Sequence, residues 1–145
     1  GPGDPLGTRG MFIRRAVDPN VQRADNPAWL GPAGTVHMSL EDLLRWGQAN
    51  MLACDGGYPN FLSAESCQRL RQPVSRTYGL GWEVAVLKLE SDVQVIGHSG
   101  SNTMWITHLF YAPEEKVVLA LSMNQARNLR SQRDLVRLAR ALLSR

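Results

Sequence analysis

Two consecutive segments near the end of the chain, residues 104–112 and 116–124, constrain the fold most strongly. Both are rich in aliphatic and aromatic side chains, which favour β-strands. The polar connection between them carries Pro113 at a turn position, so the pattern predicts a β-hairpin. Because both strands are apolar at consecutive positions, each face of the sheet has to be covered. The sequence therefore predicts a sheet with helices on both sides.

Two further strands are predicted ahead of this hairpin, at residues 78–89 and 92–98. The second of them is predicted to end in a short polar tip, residues 97–101, which contains two glycines. The strand at 104–112 is its expected antiparallel neighbour. A strand tip of this kind can line a cleft, because a glycine there lets a ligand approach the backbone closely.

Two predicted helices begin at a capping box, in which a serine and the acidic residue three positions later satisfy backbone N–H groups. Ser39 and Asp42 precede a helix at residues 40–53. Ser131 and Asp134 precede the C-terminal helix, whose stripe of leucines is expected to pack on the sheet.

A shorter helix is predicted after Ser63, and it should end before Pro73. Leu62 and Cys67 occupy the two positions of a hydrophobic staple, so Cys67 is predicted to pack rather than to react. Cys54 and Cys67 match no metal-ligand spacing, and the sequence predicts no metal site and no cofactor. Two cysteines do not fix the redox compartment.

The opening of the chain, residues 1–38, is predicted to be irregular because glycine and proline punctuate it and little apolar periodicity organises it. Its first residues, Gly1 and Pro2, look like the remnant of a cleaved expression tag. Residues 39–145 are predicted to form the helices and antiparallel strands of one domain.

Charge and hydropathy argue against nucleic-acid binding and against a membrane-spanning helix. The formal net charge is +3 and the isoelectric point near 9.2, but the basic residues are scattered, so no nucleic-acid partner is expected. The longest apolar run, at residues 117–121, is far short of the ~20 residues that a membrane-spanning helix needs. We therefore expect a soluble piece without a membrane-spanning segment.

Two nucleophile motifs can be tested by inspection. Residues 97–101 almost match the nucleophile elbow Gly-x-Ser-x-Gly, but the last glycine is absent and no helical pattern follows the strand. A Ser-x-x-Lys motif is absent as well, because neither Lys88 nor Lys116 stands three residues after a serine. No serine of this sequence has an evident base.

The same segment has the chemistry of amide or ester recognition. Gly100 permits close approach of a ligand, Ser99 offers a hydroxyl to a carbonyl or carboxylate, and His98 supplies a proton-transferring group near neutral pH. Taken alone, a histidine at a strand end is more often structural than catalytic. His108, in the middle of a strand, is predicted to be a cross-strand partner or a packed residue.

Four landmarks follow one another along the chain: Pro32-Ala33-Gly34 with Ser39-Leu40-Glu41-Asp42, Tyr78-Gly79-Leu80-Gly81-Trp82, Gly97-His98-Ser99-Gly100, and a strand that ends at Asn124. In this order they resemble the family of class C β-lactamases, D,D-peptidases and related esterases, and the resemblance covers nearly the whole chain. Tyr58-Pro59-Asn60 spells the family's second motif, but it follows the first landmark instead of preceding it, so we reject it.

The resemblance implies an α/β (α+β) sandwich in which helices flank an antiparallel sheet, with the active site at the sheet edge. It implies that the nucleophile is the serine of a Ser-x-x-Lys motif upstream of this chain. The third motif maps onto His98, Ser99 and Gly100, and Ser101 lends its backbone N–H to the oxyanion hole. His98 and Ser101 are thus the predicted catalytic residues, and His98, Ser99, Gly100 and Ser101 the predicted substrate-binding residues.

His98 stands where true β-lactamases have a lysine. An imidazole with an ordinary pKa is largely neutral at pH 7, so we favour an esterase, an amidase or a D-amino-acid peptidase over antibiotic hydrolysis. The alternative is a noncatalytic truncated module that binds a peptide, a cell-wall fragment or a protein. We also expect self-association or a complementing N-terminal half, and the resemblance favours a periplasmic or secreted protein.

Overall fold

The computed structural model describes residues 5–10, 15–21, 24–124 and 128–143. It is an α+β structure, as predicted, with one main antiparallel sheet and a smaller two-stranded one. In chain order the elements are β1 (Gly7–Arg9), β2 (Arg15–Val17), a 3-10 turn (Ala28–Leu30), α1 (Gly31–Gly34), α2 (Leu40–Ala53), α3 (Ala64–Arg71), β3 (Glu83–Lys88), β4 (Asp92–Ser101), β5 (Ile106–Ala112), β6 (Val117–Met123) and α4 (Asn128–Leu143).

Strands β3 to β6 form a four-stranded antiparallel sheet in the order of the chain. The predicted hairpin of β5 and β6 is confirmed, with Ala112 opposite Val117. Its turn is closed by the Lys116 N–H, which donates to the Pro113 carbonyl at 3.3 Å. Each strand therefore packs beside its neighbour in sequence, and short connections suffice.

The strand predicted at residues 78–89 is wrong in its first half, because residues 78–82 form a turn and β3 begins only at Glu83. The Gly79 N–H donates to the Trp82 carbonyl at 2.7 Å. Gly81 has a φ of +89°, in the left-handed region that favours glycine. We call residues 78–82 the Tyr78 turn.

Helices cover both faces of the main sheet, as predicted. On one side Gly47 brings α2 close, since a Cβ there would lie 2.7 Å from Val118 Cγ1 and 2.8 Å from Leu109 Cδ1. On the other side the buried Ala139 of α4 packs with Phe110 and Leu119. We call these two sides the α2 face and the α4 face.

The predicted N-caps of α2 and α3 are confirmed. The hydroxyls of Ser39 and Ser63 accept the backbone N–H three residues later, at 3.1 and 3.2 Å. The predicted start of the C-terminal helix at Ser131 is wrong, because α4 begins at Asn128. No glycine or proline separates Asn128 from Ser131, so nothing stops the helix from extending ahead of the capping box.

The short helix α3 is tied to the end of α2 in two ways. Cys54 and Cys67 form a disulfide, with their Cα atoms 5.0 Å apart. Arg71 Nη2 donates to the Asn50 carbonyl at 2.6 Å. Cys67 packs as predicted, since its side chain is buried and Leu62 lies against it. The prediction that Cys67 does not react is wrong, because its sulfur is bonded to that of Cys54.

The opening segment is not irregular throughout, so the prediction for residues 1–38 is partly wrong. β1 and β2 pair with each other, and β1 lies at the end of the main sheet. The Thr8 N–H donates to the Met104 carbonyl at 3.3 Å, and Asn124 Nδ2 donates to the Leu6 carbonyl at 2.9 Å. The segment acquires its structure from these contacts, which no local pattern reveals.

Candidate functional site

The predicted site lies in the last part of β4, and the alternation of the strand divides it between two faces. The strand predicted at residues 92–98 extends to Ser101, so the predicted tip, residues 97–101, is the end of β4 and is paired with β5. His98 lies opposite Leu109, whose side chain belongs to the cluster on the α2 face. Ser99 lies opposite His108, on the α4 face. Successive side chains of a strand point to opposite faces, so His98 and Ser99 do not converge.

His98 is exposed, and the Tyr78 turn holds its ring on one side. The His98 Nδ1 atom lies 2.9 Å from the Gly81 carbonyl oxygen and 3.3 Å from the Tyr78 hydroxyl. The two rings lie 6.2 Å apart at an angle of 59°. The Nδ1 edge of the imidazole is therefore occupied by the protein's own groups.

The Tyr78 turn is itself fixed by the core. Trp82 is buried and packs edge to face on Tyr111, with ring centroids 5.3 Å apart, which confirms the prediction that Trp82 is core. The Leu80 N–H donates to the Leu70 carbonyl of α3 at 2.9 Å. The Tyr78 turn, which supplies both groups that contact His98, is thus attached to α3 through Leu70 and to β5 through Tyr111.

Ser99 lies beside His108, a residue that the sequence did not indicate as part of a site. Its hydroxyl lies 2.7 Å from Nδ1 of His108, which confirms His108 as a cross-strand partner. His108 is 1% exposed, and burial lowers its pKa, so the ring is neutral near pH 7. A largely apolar cavity of about 290 Å³ adjoins this pair beneath α4. The Ser99 hydroxyl therefore belongs to a part-buried polar pair on the α4 face, in which His108 is the buried member.

The Ser101 hydroxyl is used by the turn between β4 and β5. It donates to the Trp105 carbonyl at 2.9 Å and accepts the Thr103 N–H at 3.1 Å. This pairing stabilises the turn, in which Thr103 has a φ of +74°. Only the backbone of Ser101 remains as a candidate for recognition.

The backbone of residues 98–101 forms an open edge. β3 starts at Glu83, opposite Gly97, so beyond Gly97 no described strand lies on that side of β4. The Val84 N–H points away from β4, to the Thr77 carbonyl at 2.7 Å. By the alternation of antiparallel hydrogen bonds, the N–H and C=O groups of Ser99 and Ser101 then point to the open edge.

Gly100 leaves space beside this edge on the face that carries His98. A Cβ at position 100 would meet no heavy atom within 4 Å. The side chain of His98, the empty position above Gly100 and the edge groups of Ser99 and Ser101 are thus adjacent. They form the candidate site, which we call the β4 edge.

Other candidate chemistry is limited in the described part of the chain. No group of three or more His, Cys, Asp or Glu side chains within residues 5–10, 15–21, 24–124 and 128–143 is arranged to hold a metal ion. None of the helices described is both long and apolar enough to cross a bilayer. Tyr58 lies exposed in the connection between α2 and α3.

The described structure is thus an antiparallel sheet with helices on both faces and an open strand edge that carries His98 and Gly100. Comparison with known families identifies the class of protein to which this fold belongs. The family model described as Beta-lactamase matches residues 4–144, and the chain belongs to this family. The family places the chain in a superfamily of the serine hydrolase type. No curated protein and no solved structure matches the chain.

Proposed function

We propose that this chain is the C-terminal portion of a serine hydrolase that cleaves ester or amide bonds. The nucleophile in this proposal is the serine of a Ser-x-x-Lys motif that precedes Gly1 in the complete protein. The observation that carries the proposal is the open β4 edge, which presents backbone donors beside His98 and an empty position over Gly100.

The reaction proceeds through an acyl-enzyme. The serine oxygen adds to the substrate carbonyl carbon, and the alcohol or amine departs with a proton as the carbonyl re-forms. Water then adds to the acyl carbon, the acid is released, and the serine regains its proton. In both steps the negative charge on the carbonyl oxygen is stabilised by the backbone N–H of Ser101, a type of contact that contributes about 3 kcal/mol to lowering the barrier.

The Ser99 and Ser101 side chains have no part in this proposal, because their hydroxyls are engaged on the α4 face and in the turn. His98 is the side chain that faces the substrate. Its imidazole, in place of a lysine ammonium, supports esters, amides or D-amino-acid peptides as substrates over anionic antibiotics.

A variant series in the complete protein tests these roles. His98→Ala is expected to lower kcat/KM for a p-nitrophenyl ester by about 10²–10⁴-fold, the usual contribution of a group that transfers a proton. Ser101→Ala keeps the backbone N–H and should leave kcat/KM close to the wild-type value. His37→Ala, in an exposed pair with Asp25, is the matched control. An unaffected His98→Ala enzyme would remove His98 from the site.

The open edge also supports a second candidate function, a noncatalytic module that binds an extended peptide or cell-wall peptide by strand addition. Backbone amides at Ser99 and Ser101 would then shift in NMR spectra on titration with a peptide while no hydrolysis occurs. Turnover of the ester by the complete protein, lost with His98, would decide for the enzyme.

We further propose that the N-terminal half of the domain, or a second copy of the chain, covers the outer edge of β6. In the described part of the chain β6 pairs only with β5, and an unpaired edge promotes association. Sedimentation of this chain should therefore show dimers or larger species. A stable, folded monomer at low concentration would contradict this.

The disulfide between Cys54 and Cys67 supports an oxidising compartment, in line with a periplasmic or secreted protein. Thiol titration of protein recovered from its native host tests this. No free thiol under denaturing conditions is the expected result, and two free thiols would place the protein in a reducing compartment.

A further inference from the structure

The ring of His98 is held in one orientation by two groups of different chemistry. A carbonyl oxygen only accepts hydrogen bonds, so the 2.9 Å contact with the Gly81 carbonyl requires a proton on His98 Nδ1. The Tyr78 hydroxyl oxygen, 3.3 Å from the same nitrogen, then accepts a second, weaker hydrogen bond from the Nδ1–H group. With a proton on Nδ1, a neutral imidazole has none on Nε2.

From this geometry we infer that the Tyr78 turn fixes neutral His98 as the Nδ1–H tautomer and presents the unprotonated Nε2 to the substrate. The turn is thus a positioning element for His98, acting through its Gly81 carbonyl. The Gly81 carbonyl contacts the ring while Gly81 has a φ of +89°, a conformation that other residues rarely adopt.

This tautomer defines a substrate class, and this step rests on the proposed function. A bare Nε2 accepts hydrogen bonds from amide N–H, ammonium or hydroxyl groups, whereas it has nothing to donate to a carboxylate. The β4 edge therefore selects substrates that place a neutral or donor group at His98. It discriminates against those that place a carboxylate there.

The tautomer can be measured directly on the 145-residue chain by long-range ¹H–¹⁵N correlation of the imidazole, at about pH 8.5, where imidazoles are neutral. We expect the Nδ1–H form to predominate at His98. A predominance of the Nε2–H form would overturn the inference.

Two glycine variants separate the role of the turn from general strain. The alanine of Gly81→Ala has space for its Cβ but disfavours the left-handed backbone at this position, so the Gly81 carbonyl should move. The population ratio of the Nδ1–H to the Nε2–H tautomer of His98 should then fall about fivefold, the factor expected for one ordinary hydrogen bond. Gly56→Ala is the matched control, since Gly56 also has a positive φ, of +78°, and no atom within 4 Å of an added Cβ. Equal ratios in both variants would contradict the inference.

The substrate class is tested in the complete protein with two esters that differ only by a carboxylate on the acyl group. The wild-type enzyme should favour the neutral ester, and His98→Lys should shift the ratio of kcat/KM values towards the anionic one. An unchanged ratio would refute the specificity. If neither ester is turned over while the NMR result holds, the proposed function fails and the tautomer stands.

Discussion

Replacement of Gly97 by alanine tests the packing that places the β4 edge. A Cβ at this position would lie 2.6 Å from Phe110 Cβ and 2.7 Å from the Leu109 carbonyl oxygen, both on the neighbouring strand. Ordinary carbon contacts are about 3.5–4.0 Å, so β4 and β5 would have to separate by about 1 Å. The clashing atoms belong to the backbone or lie next to it, and rotation of a side chain cannot relieve them.

The expected magnitude follows from two opposing effects. Overpacking of a filled site costs about 1–3 kcal/mol, and the upper part of this range applies because the backbone itself must move. Alanine also restricts the unfolded chain, which stabilises by about 0.4–1 kcal/mol. We therefore expect Gly97→Ala to lower the free energy of unfolding by about 2 kcal/mol.

Gly100→Ala, in the same strand, is the matched control because its Cβ would meet nothing within 4 Å. It should retain or slightly raise the free energy of unfolding. In urea denaturation followed by circular dichroism, with an m-value of about 2 kcal/mol/M, Gly97→Ala should lower the midpoint by about 1 M. A midpoint equal to or above that of Gly100→Ala would refute the reasoning.

Two further predictions concern stability. Replacing Cys54 and Cys67 together by alanine should lower the free energy of unfolding by about 3 kcal/mol, because the disulfide closes a loop with a sequence separation of 13. Urea denaturation with and without dithiothreitol measures this. Equal stability of the wild-type protein and the double variant would contradict it. Burial lowers the pKa of His108, so the unfolded chain binds the proton more readily than the folded one. The contribution of neutral His108 to the free energy of unfolding should be fully present above about pH 6.5 and be lost as the pH falls from there through the lowered pKa. His108→Gln should reduce this pH dependence. Thermal unfolding of both proteins between pH 5 and 8 checks the prediction, and identical dependence of Tm on pH would refute it.

Local patterns predicted much of the fold because the relevant contacts are themselves local. Ser39 and Ser63 cap their helices within three residues, and the hairpin of β5 and β6 needs only apolar strands and a proline-containing turn. The start of β3 was missed for the opposite reason. Tyr78, Leu80 and Trp82 favour a strand, but the glycines between them and the contact of Leu80 with Leu70 of α3 produce the Tyr78 turn instead.

The sequence pointed to the strand that carries the candidate site, but not to the arrangement of the side chains within it. The family resemblance pointed to residues 97–101, but the prediction grouped His98 with Ser99. The period of two along a strand places these two side chains on opposite faces, and the prediction did not use it. Other features depend on long-range contacts that one sequence does not reveal. The Gly81 carbonyl stands 17 positions before His98, and the disulfide joins residues 13 apart.

The central claim is that this chain supplies one wall of an acyl-transfer site and not its nucleophile. Intact-mass analysis after treatment with a fluorophosphonate tests it most directly, on the 145-residue chain and on a chain extended upstream of Gly1 with its natural preceding sequence. We predict no adduct on the 145-residue chain and a single adduct on the extended one, at the serine of a Ser-x-x-Lys motif. An adduct on a serine of this chain, Ser99 above all because His108 lies 2.7 Å from its hydroxyl, would contradict the account.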